Sequence, residues 1–217
     1  MEYDLSILKQ TLLFADIPPE KYANVLQCLN AQIRSFPAGQ TITAIGEVVE
    51  KAGILLTGKA AIISYDESGN QINMNHCEAG DSFGEAAACQ QLAKSPLQIN
   101  TLEPCTILFL GLAKLMEPSS CPYRSQMSAN LTKNLIQENL FLNHKVQILA
   151  QKKLRDRIKL YLQMLQLQSD GTVLIPFSRS AWAEFLCVDR SALSRELGRL
   201  KAEGILSSDG AVITIMQ

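Results

Sequence analysis

The stretch from Ser178 to Leu206 constrains the fold of this chain more than any other. Leu193, Leu197 and Leu200 recur at positions i, i+4 and i+7, which is typical of one buried face of a helix. The polar residues of the same segment fall at i, i+1, i+4 and i+5 and share the opposite face: Arg190, Ser191, Ser194 and Arg195. The pattern therefore predicts a helix whose exposed face carries two arginines.

A shorter amphipathic pattern precedes this helix. Ser178 is its expected N-cap, and its expected apolar side consists of Trp182, Phe185 and Leu186, with Ala183 where a second helix passes close. Asp189 is expected to cap the second helix by accepting from free backbone N–H groups, and Gly204 is expected to end it. Two short helices joined by a tight turn indicate a helix-turn-helix, in which the second helix enters the DNA major groove.

The exposed residues suit that interpretation chemically. The N–H donors of arginine match the O6 and N7 acceptors of guanine, and a serine hydroxyl can bond a base or a phosphate. On residue types alone, two ordinary packed helices with a hydrated charged face remain the alternative.

The segment SRSAWAEFLCVDRSALSRELGRLKAEGIL closely resembles the C-terminal helix-turn-helix of the cyclic-AMP receptor / fumarate-nitrate regulator (Crp/Fnr) family of bacterial transcription regulators. The resemblance implies a set of DNA-contacting residues: Arg179, Ser180, Arg190, Ser191, Ser194, Arg195 and Arg199. Two departures stand out. Cys187 occupies a turn position where glycine is common, and positive φ costs a non-glycine residue about 1 kcal/mol. Ser191 replaces an acidic base-reading residue, so the operator sequence cannot be transferred from other members.

The charge of the chain is unevenly distributed. Residues 1–151 carry a net charge of −4 and residues 152–217 a net charge of +3, so the positive end is the helix-turn-helix end. Because this excess is small, we expect two copies of the chain to bind DNA together.

The sequence pattern in the middle of the chain is typical of β-structure. Between Arg34 and Leu112, short apolar runs alternate with glycines, and residues 67–70 predict a hairpin turn. Ile72, Met74 and His76 alternate with polar residues and are expected to form one apolar strand face. Many short strands without intervening helices predict an antiparallel β-roll, and the whole chain an α+β fold.

The sequence Gly80-Asp81-Ser82-Phe83-Gly84-Glu85-Ala86-Ala87 resembles the signature of the cyclic-nucleotide-binding fold. In that fold a helix start presents N–H groups to a phosphate and the glutamate holds a ribose hydroxyl. Cyclic-AMP binders then use an Arg-Ser or Arg-Thr pair, whereas this chain has Lys94-Ser95-Pro96. Lysine lacks the guanidinium fork and proline lacks an N–H, so the effector is expected to be a small molecule other than cyclic AMP. The resemblance implies these effector-binding residues: Gly84, Glu85, Ala86, Lys94, Ser95 and Asn143.

A long helix is predicted from about Pro122 to Leu149. A heptad-like seam suited to a partner helix runs through it: Leu131, Leu135, Leu142, Val146 and Leu149. Apolar residues on other faces are expected to cover the β-roll: Ile136, Leu140, Phe141 and Ile148. In the Crp/Fnr family this helix joins two subunits, so the resemblance implies a homodimer.

The predicted organisation has three parts. Residues 1–121 form an effector-sensing β-roll with N-terminal helices broken at Pro18-Pro19, residues 122–151 the dimerisation helix, and residues 152–217 a winged helix-turn-helix. The last part begins with a basic cluster at 152–157 and a helix at about 158–167. It ends in a hairpin around Asp209-Gly210, the wing.

The cysteines and histidines leave other sensing chemistries open. Six cysteines without a CxxC pair are read as buried free thiols: Cys28, Cys77, Cys89, Cys105, Cys121 and Cys187. A thiol switch through Cys77, Cys89 or Cys105 is one alternative, and a haem sensor using His76-Cys77 is another. An iron–sulfur cluster is disfavoured because only Cys28 precedes Cys77. We predict no metal and no cofactor beyond the effector.

A different class of protein is the remaining alternative. The glycine-rich segments lack the phosphate-binding forms of nucleotide enzymes, and no histidine lies in a nucleophile or metal motif, so we predict no enzymatic activity. A stand-alone ligand-binding module is disfavoured by the segment from Arg190 to Arg195. The expected partners are an operator in double-stranded DNA, a second copy of the chain, a small-molecule effector and RNA polymerase. No apolar run is long enough to span a membrane, and a soluble cytoplasmic protein is expected.

Overall fold

A computed structural model describes residues 4–90, 94–117 and 121–216. The chain divides into two compact units. The first comprises Met1–Ser64 with Asn75–Asn139, and the second comprises Tyr65–Met74 with Leu140–Gln217. The three-part division at residues 121/122 and 151/152 stays a prediction.

The N-terminal segment forms short 3-10 helices at Ser6–Gln10, Leu12–Phe14 and Pro19–Lys21 before helix α1, Tyr22–Cys28. The break at Pro18-Pro19 lies where it was predicted, but the part before it is no continuous α-helix. Its backbone leaves helical angles at Thr11, where φ is −82° and ψ is 135°. The apolar spacing holds nevertheless, because several of these side chains are core residues: Leu8, Leu13, Phe14 and Val25.

Two four-stranded sheets follow. The first contains β1 (Gln32–Phe36), β3 (Ala52–Thr57), β6 (Ser82–Phe83) and β8 (Cys105–Leu110) in the order β1-β8-β3-β6. The second contains β2 (Thr41–Thr43), β4 (Ala60–Tyr65), β5 (Gln71–Cys77) and β7 (Gln98–Thr101) in the order β2-β7-β4-β5. Residues of both sheets share one core cluster, which includes Leu55, Cys77, Phe83 and Ile107. The predicted antiparallel β-roll is confirmed.

Glycine at position 53 is required by this packing. A Cβ atom there would lie 2.2 Å from the ring of Phe83, so only glycine lets β3 pass β6 at this point. The short helix α2 (Glu85–Cys89) follows β6 along the chain, and a 3-10 helix at Leu112–Leu115 follows β8.

The face of β5 that was predicted to be apolar is not the face that is fully buried. Asn73 and Cys77 are the buried residues of this strand, whereas Ile72, Met74 and His76 are only partly buried. Alternation identifies two faces but not which of them is covered. Here the covered face carries an asparagine, because its amide is hydrogen-bonded to a distant helix.

Helix α3 spans Arg124–Leu149, close to its prediction. The first two residues of the predicted seam do not face outward. Leu131 is 1% exposed and lies in the core of the first unit, and Leu135 packs against that core. The exposed large apolar residues of α3 are Ile136, Leu140, Leu142 and Val146. Phe141 and Ile148 pack in or against the core of the second unit, and so do not cover the β-roll.

The rest of the second unit is a winged helix-turn-helix. It contains α4 (Leu154–Met164), β9 (Thr172–Leu174), α5 (Arg179–Phe185), α6 (Arg190–Ala202), β10 (Leu206–Asp209) and β11 (Val212–Ile215). The strands form an antiparallel sheet in the order β10-β11-β9, so the predicted wing is confirmed. The core includes aromatic and leucine side chains, among them Tyr161, Trp182, Phe185, Leu193 and Leu197. Among the helices of the described residues, none is long and apolar enough to cross a membrane.

Candidate DNA-binding and effector sites

The turn between α5 and α6 has the predicted geometry. The Ser178 hydroxyl caps α5 by accepting from the Ala181 N–H at 3.2 Å, and Cys187 takes the left-handed conformation with φ of 53°. Gly204, with φ of 70°, follows the end of α6. One detail was wrong, because Asp189 occupies the N-cap position of α6 without a side-chain capping bond. The first turn of α6 therefore keeps free N–H groups for another acceptor.

The face of α6 opposite the core carries the predicted reading residues. Leu193, Leu197 and Leu200 are buried, and the four polar residues Arg190, Ser191, Ser194 and Arg195 are exposed. Within the described parts of the chain, neither Arg190 nor Arg195 takes part in an ion pair. Both guanidinium groups are thus available to an external acceptor.

Other arginines of this unit are committed to internal contacts. Arg155 binds Glu196 at 2.9 Å and Glu203 at 2.7 Å, and Arg199 binds Glu196 at 3.2 Å. The hydrogen bond from Arg155 lowers the pKa of Glu196. Arg157 donates to the backbone carbonyls of Gln151 and Leu186. The two arginines of the basic cluster at 152–157 therefore make structural contacts within the protein. Arg199 is a weaker candidate for DNA contact than Arg195, because it is already paired with Glu196.

The start of α5 offers two further predicted contacts. Ser180 is exposed, and the guanidinium of Arg179 lies over the Trp182 ring at 5.5 Å and donates to the carbonyl of Gly210 at 3.4 Å. Burial, and next the charge of Arg190, lower the pKa of Arg179. This pair of guanidinium groups makes the surface electropositive, as a phosphate requires.

The predicted effector residues of the first unit lie around the start of α2. Gly84 precedes the helix with φ of 78°, and Ala86 is exposed. Glu85 is 2% exposed and accepts from the Asn134 amide at 2.7 Å, and that amide also bonds the Ser82 hydroxyl at 3.2 Å. Burial raises the pKa of Glu85, although hydrogen bonds from Ser82 and Asn134 act in the opposite direction.

The hydroxyl and backbone N–H of Ser95 are hydrogen-bonded within the protein. Ser95 donates through its hydroxyl to the Leu97 carbonyl at 2.6 Å, and its backbone N–H donates to the Glu47 carbonyl at 2.8 Å. Lys94 is exposed. Asn143 is exposed on the part of α3 that belongs to the second unit, and its role as an effector ligand stays a prediction.

Comparison with known proteins agrees with both parts of the chain. The cyclic nucleotide-binding domain family matches residues 33–117, and the Crp-like helix-turn-helix domain family matches residues 156–217. The two matches occur in this order and together account for more than half of the chain. The chain belongs to the Crp/Fnr family of transcription regulators. Members of this family are not enzymes.

Solved structures of similar fold include three bacterial proteins. The regulator CLP of Xanthomonas campestris is 18% identical with a TM-score of 0.71, covering 91% of this chain and 97% of its own. A CooA mutant of Carboxydothermus hydrogenoformans is 16% identical with a TM-score of 0.73, covering 94% and 93%. FixK2 of Bradyrhizobium japonicum is 19% identical with a TM-score of 0.66, covering 86% and 93%. At these identities the likeness shows a shared fold. No curated protein matches the sequence.

Two residues near the predicted effector site of this Crp/Fnr protein were missed by sequence reasoning. Asn134 and Glu138 lie one turn apart on α3, and desolvation and the charge of Glu85 raise the pKa of Glu138. Their i, i+4 spacing was visible in the sequence. Their approach to Glu85 was not, because it joins positions about 50 residues apart along the chain.

The thiols of this Crp/Fnr protein are unpaired, as predicted, but only Cys77 and Cys105 are buried. Burial raises the pKa of Cys77, Cys89 and Cys105, which keeps them as thiols rather than the reactive thiolates. The neighbouring thiol of Cys121 and, next, burial raise the pKa of Cys28. That pair was not predicted.

The histidine that a haem sensor would use lies on β5. His76 and Cys77 are adjacent on the strand, so their side chains point to opposite faces of it. They therefore cannot both bind one haem. Burial, and next the charge of Lys59, lower the pKa of His76. Across residues 4–90, 94–117 and 121–216, no group of three or more His, Cys, Asp or Glu side chains is arranged to hold a metal ion.

Proposed function

We propose that this Crp/Fnr regulator acts as a homodimer that binds a specific operator through α6 and responds to a small-molecule effector in its β-roll. The observation that carries the proposal is the exposed face of α6, where Arg190 and Arg195 have no ion-pair partner among the described residues. Arginine side chains left uncommitted in this way suit the base edges and phosphates of a major groove.

Selection of duplexes from a random pool, followed by footprinting, tests this directly. We expect an enriched sequence with two half-sites about 34 Å apart, one turn of B-DNA, on the same face of the duplex. If the protein enriches no sequence from the pool, the proposal of operator binding is contradicted. A single protected half-site would contradict binding as a two-fold dimer.

The homodimer is supported by α3. Four large apolar residues are exposed on this one helix, and Ile136 and Leu140 lie one turn apart on its outer side. Water contact of such a stripe is unfavourable, whereas a second α3 would cover it. We expect light scattering to give the mass of a dimer for the wild type and of a monomer for Leu140→Glu. Gln137→Glu places the same charge on the same helix and is expected to leave the dimer intact.

We infer that the effector is not cyclic AMP. Ser95 has both its N–H and its hydroxyl committed to internal carbonyls, and the carboxylate of Glu85 is buried and accepts from Asn134. An anionic cyclic phosphate would therefore meet few free donors. The structurally similar CLP is described as responsive to c-di-GMP, which supports the view that this fold accepts effectors other than cyclic AMP.

Thermal-shift screening of the purified protein tests the inference. The ligands are cyclic AMP, c-di-GMP, haem and small organic acids, and we expect a shift with a compound other than cyclic AMP. A saturable shift with cyclic AMP would contradict it. A shift with haem would favour the haem-based alternative, and loss of DNA binding on mild oxidation the thiol-based alternative. RNA polymerase as a partner and the cytoplasmic location stay predictions.

A further inference from the structure

The tip of the β4–β5 hairpin belongs to the same compact unit as the helix-turn-helix. Gln71 donates through its side-chain amide to the Glu184 carboxylate at 2.9 Å, and Asn73 donates to the Ala181 carbonyl at 3.0 Å. Both acceptors lie on α5, more than 100 residues away in the sequence. These two bonds fasten the hairpin to the first helix of the DNA-binding motif.

A buried lysine adjoins the same contact. Lys145 of α3 is 4% exposed, and its Nζ donates to the carbonyls of Asn73 and Met74 and lies 4.3 Å from the centroid of the Phe185 ring. Within the described residues it has no carboxylate partner. Carbonyls and an aromatic face offset only part of the desolvation of an ammonium group. The contact of the hairpin with these helices is specific, but the desolvation of the Lys145 ammonium group is unfavourable. A contact with such a cost suits an arrangement that can open.

The hairpin also faces residues of the DNA-binding surface. A cavity of about 590 Å³ lies between them, lined on one side by Asp66, Asn70, Gln71 and Ile72. Ser180 and Arg190, two predicted DNA contacts, line the other side. Asp66 accepts bonds from Ser68 and Asn70 that lower its pKa and keep it ionised. A phosphate approaching Ser180 and Arg190 would therefore meet a polypeptide segment and a negative charge.

We propose that the β4–β5 hairpin is an autoinhibitory clamp on α5, held by the Gln71–Glu184 and Asn73–Ala181 bonds, with Lys145 as a positioning residue. When it is closed, the hairpin competes with DNA for the surface at Ser180 and Arg190. When it opens, that surface becomes free, so opening raises the affinity for the operator. This inference rests on the proposed function, and it assigns to that function a means of control within the chain.

The charge at position 71 gives a sharp test, because it can be changed in both directions with little change in size. Gln71→Glu sets a carboxylate against Glu184 and opens the clamp, whereas Gln71→Lys forms an ion pair with Glu184 and closes it. We expect the glutamate variant to bind a selected duplex about threefold more tightly than the wild type, and the lysine variant about threefold more weakly. Fluorescence anisotropy without added effector measures both.

Simple electrostatics predicts the opposite order, since a lysine attracts DNA and a glutamate repels it. Affinities that follow this simple order, or that equal the wild type, would overturn the clamp. The control pair Gln168→Glu and Gln168→Lys changes the charge at an exposed position away from the clamp and is expected to follow the simple order. If the wild type and Arg195→Ala bind DNA equally, the proposed function fails. If only Arg195→Ala is impaired and both position-71 variants match the wild type, the clamp alone fails.

Discussion

The exposed face of α6 and the segment around Gly84 to Ser95 differ in what their polar groups do. On α6, Arg190 and Arg195 project from a helix whose opposite side is fully packed, and no described carboxylate pairs with them. In the β-roll, Glu85 bonds Asn134 and Ser95 bonds Leu97 and Glu47. The difference indicates that the two arginines of α6 are not committed to ion pairs within the described residues, while the segment resembling a phosphate site takes part in the protein's own hydrogen bonding.

The largest expected effect concerns the two uncommitted arginines. Arg190→Ala with Arg195→Ala removes two contacts worth about 1–3 kcal/mol each, so we expect operator affinity to fall about 1000-fold. The matched control, Arg199→Ala with Lys201→Ala, removes the same charge from the same helix, but Arg199 is already paired with Glu196. Equal losses in the two double variants, measured by anisotropy, would remove the distinction between committed and uncommitted side chains.

The next effect concerns Lys145, whose pKa burial lowers to about 8 from an ordinary 10.5. The folded state then holds fewer protons than the unfolded chain between these values, so the stability contribution of this group is greatest above 10.5 and is lost as the pH falls through about 8. Relative to Lys145→Met, the wild type should gain roughly 3 kcal/mol across this window. Urea unfolding of both proteins at several pH values measures it, and parallel stability curves would contradict the burial of a charged lysine.

The smallest effect concerns Glu85. Its pKa is raised by burial, so its contribution to stability is present below the ordinary pKa and is lost as the pH rises through the folded value. Glu85→Gln keeps the acceptor for Asn134 and removes the charge, and we expect it to be slightly more stable than the wild type at neutral pH. The two proteins should converge in acid. A variant less stable than the wild type at neutral pH would mean that the ionised carboxylate is needed there.

The helix-turn-helix could be predicted closely because its contacts are local. Leu193, Leu197 and Leu200 lie on one helix, and the motif fixes the turn so tightly that Cys187 adopts a left-handed backbone without being glycine. The predicted side-chain cap of α6 is absent, although Asp189 has the extended backbone of an N-cap residue.

Features that depend on distant partners could not be predicted. Leu131 packs in the core of the first unit. The heptad pattern of α3 suits a core as well as a partner helix, so the first residue of the predicted seam was wrongly assigned to a partner helix. On β5 the buried side carries Asn73 because Ala181 supplies an acceptor more than 100 residues later. Glu85 with Asn134 and Cys28 with Cys121 likewise meet only through the fold.

The salt dependence of operator binding tests the central claim most directly, because it counts the phosphate contacts that a side chain makes. The affinities of the wild type, Arg195→Ala and a control variant in the first unit, Arg34→Ala, are measured over a range of salt concentrations. We expect Arg195→Ala to bind more weakly, with the slope of log affinity against log salt reduced by about one, and Arg34→Ala to match the wild type. An Arg195→Ala variant with wild-type affinity and wild-type slope would contradict the assignment of α6 as the DNA-reading helix.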